Sequence, residues 1–426
     1  MLLRIRILLL SFCIFGIINA QVIKPDVNID NKLNSPYSYY GLGDFQSEAF
    51  APVKSMGGAS IGLRNTNMIN VTNPATYALQ DTLSFILDFG FISEKVNIDA
   101  VEGNANTYNN NIDHIAISYS ISKRWKGSAG LLPYCKTGYN ILEVPSLPDS
   151  SDFNLRVGNG EINRFYFGNA IKINPSFSVG FNASYLFGKS DKEKRLEFPT
   201  LPSSTLNYYE RAETILQGFL FDFGLQYEYK FNSFRSLAVG LIYQPKSKIY
   251  TELYNSSHTE NPIGTTTYLS ADTSDTHSTL PAKFGIGLSY RFNDKLLVAG
   301  DFKYQNWDKA IIEGEKDQTL TKSYMFNLGA QYIPFNKTSR SFFNKMHYRI
   351  GGYYYKTPIY INNAEIKDFA ITAGLGLPFK SNTILNVSTE IGHRGSNSDD
   401  LIKEKYIKLN FNISFYDIWF YRPKFD

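Results

Sequence analysis

Cysteine is nearly missing from this 426-residue chain: it has 2, and Cys13 lies in the first apolar stretch. Once that stretch is removed, Cys135 stands alone. No internal disulfide can then form, and the fold must close by hydrogen bonding and burial. Histidine is scarce too, with 5. His114, His258, His277, His347 and His393 are scattered, with no i, i+4 pair of the kind that binds zinc. A phosphate-binding loop of the Walker type is absent as well. Gly285-Ile-Gly287 falls inside an alternating segment, where glycine marks a bend or close packing rather than a phosphate cradle. Charge of one sign is also lacking: 43 Lys and Arg face 39 Asp and Glu, a net charge of +4 with no dense basic run. That balance excludes nucleic acid as a partner. Neither a cofactor nor a metal nor a catalytic residue is expected. His258, Asp272, Asp275 and His277 on one long polar link are the single cluster that a rim enzyme or metal site would use, and a solvated loop is the plain alternative.

Long apolar runs are missing too, apart from the start. Arg4 and Arg6 precede an apolar stretch from Ile7 to Ile18, and Asn19-Ala20 then precedes Gln21. The stretch is about twelve residues where a spanning helix needs roughly twenty, so it reads as a cleaved signal peptide over 1–20 and less well as an anchor. The mean hydropathy of -0.24 resembles that of a soluble protein. A membrane barrel reads the same way, because alternate residues face a polar lumen.

What the chain does have is aromatic residues, 15% of the total, with 30 Tyr and 32 Phe. They recur at period two, the strand period. Phe219, Phe221, Phe223, Leu225, Tyr227 and Tyr229 share one face, while Leu220, Asp222, Gly224, Gln226 and Glu228 share the other. Phe177 to Phe187 and Ile407 to Phe415 repeat the pattern. Comparable segments start near Thr82, Ile112, Gly127, Ile162, Phe177, Thr214, Ser236, Ala282, Lys295, Tyr324, Met346, Lys367, Thr383 and Tyr406, which gives about fourteen strands.

Links after even strands are short, as at Lys123, Asn174-Pro175, Asn232-Ser233, Asn293-Asp294 and Pro378. Links after odd strands are mostly long and polar, as from Ser190 to Glu213 and from Thr251 to Leu280. Outer-membrane barrels have short periplasmic turns and long external loops. The expected fold is therefore all-β, a transmembrane antiparallel β-barrel of about fourteen strands over 82–416; a soluble sandwich is the alternative. Asp222, Glu228, Asp301 and Glu390 should face the lumen and pair with basic residues such as Lys303 or Lys172.

Residues 21–81 break the alternation. They are rich in turn formers yet carry Tyr, Phe, Met and Ile, which suits a plug packed in the lumen; disorder is the alternative for 21–35. Gly57 and Gly58 permit tight turning, and Pro74 holds Asn73 extended.

Met56-Gly-Gly-Ala59 followed by Asn73-Pro74-Ala75 resembles the N-terminal hatch of FadL-type barrels, outer-membrane transporters of long-chain fatty acids and other hydrophobic compounds. Arg164-Phe-Tyr-Phe-Gly-Asn-Ala-Ile-Lys-Ile173 resembles that family's central hairpin. Leu280-Pro-Ala-Lys-Phe-Gly-Ile-Gly-Leu-Ser-Tyr290, leading to Trp307, resembles its proline-started strand. Ser35-Pro-Tyr-Ser-Tyr-Tyr-Gly41 and the ending from Trp419 to Asp426 are in the style of its Bacteroidetes relatives. The resemblance implies a hatch in which Gly57, Gly58, Asn73, Pro74 and Ala75 gate passive uptake of a hydrophobic small molecule across the bacterial outer membrane. Its ligand-contacting residues stay undefined. Residues 417–426 extend past the family's usual aromatic end, forming a periplasmic tail with room for a protein contact. The second reading is accordingly an accessory barrel of an outer-membrane secretion or assembly complex, whose partners are membrane lipid and other outer-membrane or periplasmic proteins.

Overall fold

A computed structural model describes residues 35–100, 103–143, 153–198, 205–261, 265–293, 295–334, 341–379, 383–396 and 401–418. The signal peptide, residues 21–34 of the plug, and the tail beyond Ile418 lie outside the described residues.

The alternating segments form one closed antiparallel barrel of 14 staves. In chain order its strands are β2 (Ser84–Ala100), β3 (Gly103–Ser120), β4 (Trp125–Glu143), β5 (Phe153–Lys172), β6 (Phe177–Glu197), β7 (Asn207–Asn232) and β8 (Arg235–Gln244), after a short β1 (Asp44–Phe45) inside the barrel. There follow β9 (Ser247–Glu260), β10 (Thr266–Leu280), β11 (Lys283–Phe292), β12 (Leu296–Asn306), β13 (Ile311–Ile312), β14 (Glu315–Lys316) and β15 (Lys322–Tyr332). The wall ends with β16 (His347–Ile361), β17 (Ala364–Pro378), β18 (Ile384–Arg394) and β19 (Lys403–Ile418). Strand β19 pairs with β2 from Lys403↔Asp99 to Ile418↔Ser84, so no edge is left at the closure.

The two faces of β7 separate membrane barrel from soluble sandwich. Phe219, Phe221, Phe223, Leu225, Tyr227 and Tyr229 are 41 to 62% exposed, while Leu220, Asp222, Gln226 and Glu228 are 0 to 7% exposed. Phe411 and Phe415 outside, with Asn410, Asn412 and Ser414 inside, repeat this on β19. A continuous apolar exterior over a polar interior is stable against lipid and costly in water.

The turns at one end are short because asparagine side chains close them. The Asn174 carboxamide oxygen accepts from the Ser176 and Phe177 amides at 2.9 and 2.8 Å, and that of Asn232 accepts from the Phe234 amide at 2.9 Å. At the opposite end the expected loops prove to be sheet. Ser190 to Glu197 continues β6, Asn207 to Glu213 opens β7, and Thr251 to Leu280 makes most of the β9–β10 hairpin. Strand β7 has 26 residues where a tilted crossing needs roughly ten, so the sheet stands well above the membrane. Pro245 and Pro281 interrupt the ladder between β8 and β9 and between β10 and β11, letting the hairpin bend away. The link from β16 to β17 is only the Asn362-Asn363 turn, both residues left-handed at φ 50 and 60 as a two-residue hairpin turn requires.

Candidate functional site

Residues 35 to 83 enter the barrel as the expected hatch. A 3-10 turn at Pro36–Tyr39 is capped by Ser35, a helical turn spans Ala51–Lys54, and a 3-10 helix spans Pro74–Leu79. Asn73 starts that last helix from an extended backbone, its carboxamide oxygen accepting from the Ala75 amide at 3.1 Å.

Polar contacts pin the hatch around the wall. Asp44 meets Arg394 at 2.9 Å on β18, and Lys54 meets Asp113 at 2.5 Å on β3. Glu48 lies 2.9 Å from both Arg164 on β5 and Lys283 on β11. The carboxylate of Asp301 on β12 accepts from the Ser60 and Ile61 amides at 2.6 and 2.9 Å. Arg64 reaches Glu228 on β7 at 3.5 Å. Burial alone would raise the Glu48 carboxyl, but the two cations hold it down at about 2. Glycines on the inner wall let the hatch backbone press close: a side chain at Gly240 would lie 1.9 Å from the Ile61 carbonyl oxygen.

The predicted gating residues fall into two places. Gly57 and Gly58, at φ 65 and 79, turn the chain against β15 and β16; the Gly57 amide donates to Thr372 on β17 at 2.9 Å, and its carbonyl accepts from Asn327. Asn73, Pro74 and Ala75 lie against β6, β7 and β8, where Asn73 donates to the carbonyls of Ile61 and Leu225 at 2.8 and 3.2 Å.

Outward of the hatch lies a cavity of about 240 Å³. Tyr134, Trp307, Tyr324 and Tyr355 line it together with Lys283, Lys303, Lys408, Glu48, Asp368 and Glu390. It is an aromatic chamber ringed by ions.

The wall itself is incomplete at one seam. Pairing of β3 with β4 runs only from Ile115↔Leu131 to Ser120↔Lys126. The β2–β3 ladder skips Asp113, which steers β3 away from β4. Above the split the hatch strand β1 pairs with β4 at Asp44↔Lys136 and Phe45↔Cys135. Between cavity and seam is a void of about 20 Å³ lined by Asn109, Asn111, Lys136 and Glu94, enough for about one water.

The lumen carboxylates face inward as expected, but their partners differ. Asp222 pairs with Arg164, Glu228 with Arg64, Asp301 with hatch amides, and Glu390 accepts from Asn410 at 3.1 Å. Lys303 faces Asp301 from beyond ion-pair distance and Lys172 pairs with none of them among the described residues, because register brings Arg164 and the hatch nearer. The histidine cluster of the outer link is pulled apart: His258 pairs with Tyr268 and His277 with Tyr250, toward opposite ends of the β9–β10 hairpin. Sequence reasoning missed His114. It bridges Asp88 at 2.6 Å and Asp113 at 2.9 Å beneath the Phe50 ring, stacked at 3.4 Å. The adjacent Asp113-His114 pair, at the start of an alternating stretch, was the available signal.

The BamG family model matches residues 6–426. No curated protein matches the chain. Among solved structures, the CymD monoaromatic hydrocarbon channel is 15% identical with a TM-score of 0.61, covering 87% of this chain and 98% of its own. The Pseudomonas putida toluene transporter TodX is 16% identical at 0.62, covering 88% and 99%. A Pseudomonas aeruginosa FadL homologue is 13% identical at 0.62, covering 88% and 100%. At these identities the likeness speaks for the fold alone, a closed antiparallel β-barrel.

Proposed function

The chain belongs to the BamG family, and on its geometry we propose that it works as a sealed accessory barrel, a docking subunit of an outer-membrane secretion or assembly complex. The observation that carries this reading is the set of buried ion pairs that pins the hatch to the wall across the lumen. A binding pocket for an apolar molecule is mostly apolar and about 300–1,000 Å³. Here the inner cavity, about 240 Å³, falls below that range, and charged side chains stand among its aromatic walls. Its route to the seam narrows to about 20 Å³. Moving the hatch would strand several buried ions, each expensive to leave unpaired.

Purification of the native protein in mild detergent, with mass spectrometry of co-purifying proteins and lipids, tests it. A stoichiometric protein partner is the expected result. A solitary barrel loaded with apolar molecules would overturn the reading.

The split between β3 and β4 favours a second reading, passive uptake of a hydrophobic small molecule such as a long-chain fatty acid. In it the aromatic walls would hold the chain and Lys303 or Lys283 the acid group, with exit through the seam. Reconstituted barrels that speed fatty-acid entry into liposomes, and lose that effect when the seam is cross-linked, would establish it.

A further inference from the structure

A second concavity lies apart from the inner cavity. At the periplasmic mouth, below the hatch, lies a cleft of about 690 Å³. Its lining holds Arg64, Lys172, Lys230, Arg235 and Arg291, five cations, against the one carboxylate of Glu228. The whole chain nearly balances its charges, 43 basic against 39 acidic, so this is a local concentration.

The cations come from separate elements and converge. Lys172 follows the inward residues Tyr166 and Ala170 on β5; Lys230 follows Gln226 and Glu228 on β7; Arg291 follows Ser289 on β11. Period two therefore aims all three into the mouth. Arg64 descends from the hatch, and its carbonyl accepts from the Arg291 guanidinium at 2.5 Å, which fixes the roof. Glu228 is occupied by Arg64 at 3.5 Å, with Lys230 at 4.0 Å. Among the described residues Lys172 has no carboxylate within ion-pair distance. The Phe234 side chain, 64% exposed, stands on the rim beside Pro175.

We propose that this mouth is a docking site for an acidic, extended polypeptide segment of a periplasmic partner. Converging lysines and arginines in a concave, partly desolvated site attract carboxylates and speed encounter. A bilayer headgroup fits the geometry less well. The inner leaflet meets the outward face, where Tyr229 and Phe231 lie; of the five cations only Arg235 is on that face, over the Phe292 ring at 4.9 Å. The chain's own ends do not supply the charge either. Residues 21–34 carry Asp26 and Asp30 against Lys24 and Lys32, and the last eight residues carry Arg422 and Lys424 against Asp426.

This inference rests on the docking reading and names its surface and partner chemistry. The test uses the full barrel in detergent micelles and a fluorescein-labelled poly-glutamate peptide, followed by anisotropy. Saturable binding is expected, weakening steeply with salt, and falling at least about tenfold in Lys172→Glu/Lys230→Glu. Both side chains reach solvent, and Lys172→Gln/Lys230→Gln, which adds no repulsion, should lose part of the affinity in a barrel of unchanged melting temperature. Absence of binding, equal binding by the charge-reversed variant, or preference for phosphatidylglycerol vesicles over the peptide each overturns the assignment. If the charge-reversed barrel still co-purifies with a stoichiometric partner, the docking reading stands and only this surface is wrong.

Discussion

Lys54 of the hatch lies 2.5 Å from Asp113, the residue at which β3 leaves its ladder and parts from β4. Both side chains are less than a tenth exposed. One ion pair thus ties the plug to the point where the wall splits, and His114 and Asn410 complete its surroundings.

Lys54→Met should destabilise the barrel by about 3 kcal/mol, because the buried Asp113 loses its lysine and keeps only His114. Lys54→Met/Asp113→Asn should recover most of that loss. Thermal unfolding followed by circular dichroism in detergent reads both. Equal melting temperatures for wild type and Lys54→Met would refute the role assigned to the pair.

Asp301→Ala removes the acceptor for the Ser60 and Ile61 amides. Each buried amide left unsatisfied costs about 1–3 kcal/mol. Hydrogen exchange should accelerate in residues 56 to 64 while the wall strands keep their protection. Uniform protection would mean the hatch does not depend on Asp301.

Gly240→Ala places a methyl 1.9 Å from the Ile61 carbonyl oxygen, whereas Gly300→Ala meets nothing closer than 3.5 Å. Limited proteolysis should cut the hatch of the first variant and spare that of the second. Identical digestion patterns would show that the hatch yields without leaving its seat.

Glu48 gives the hatch a pH dependence of known sign. Its folded carboxyl sits at about 2 against an ordinary 4.5, so its stabilising effect is complete above 4.5 and disappears as pH falls toward 2. Acid titration of hatch hydrogen exchange should show loosening across that window, and Glu48→Gln should flatten it. A wild-type profile level down to pH 2 would contradict the assignment.

Cys135 reports on the seam. Its ladder partner is Phe45, and its thiol lies 3.2 Å from the Leu42 carbonyl oxygen, wholly buried. A water-soluble maleimide should leave it unmodified in the wild type and label it in Asp301→Ala. Rapid labelling of the wild type, read by intact mass, would show β1 to be unseated.

Much of the wall was legible because lipid on one side and hatch on the other force a strict two-residue period; Phe219 to Tyr229 shows it in sequence and in space alike. The β9–β10 hairpin was not legible as strand. Thr266 to Thr276 is wet on both faces, so no apolar period marks it, and cross-strand pairing alone orders it. Gly57 and Gly58 announced a tight turn, and Pro74 announced the extended Asn73. The Arg164–Asp222 pairing was hidden, since its residues sit on β5 and β7 with β6 between them, and only barrel curvature brings them together. The charged lining of the cavity was hidden for the same reason: its members come from hatch and wall strands far apart in sequence.

The pairing of β19 with β2 also places two jobs on one stave. The hatch leads directly into β2, and β19 completes its ladder on that same strand. The joint that shuts the ring is therefore also the hinge from which the plug hangs, so a substitution that frays β2 would loosen wall and plug together.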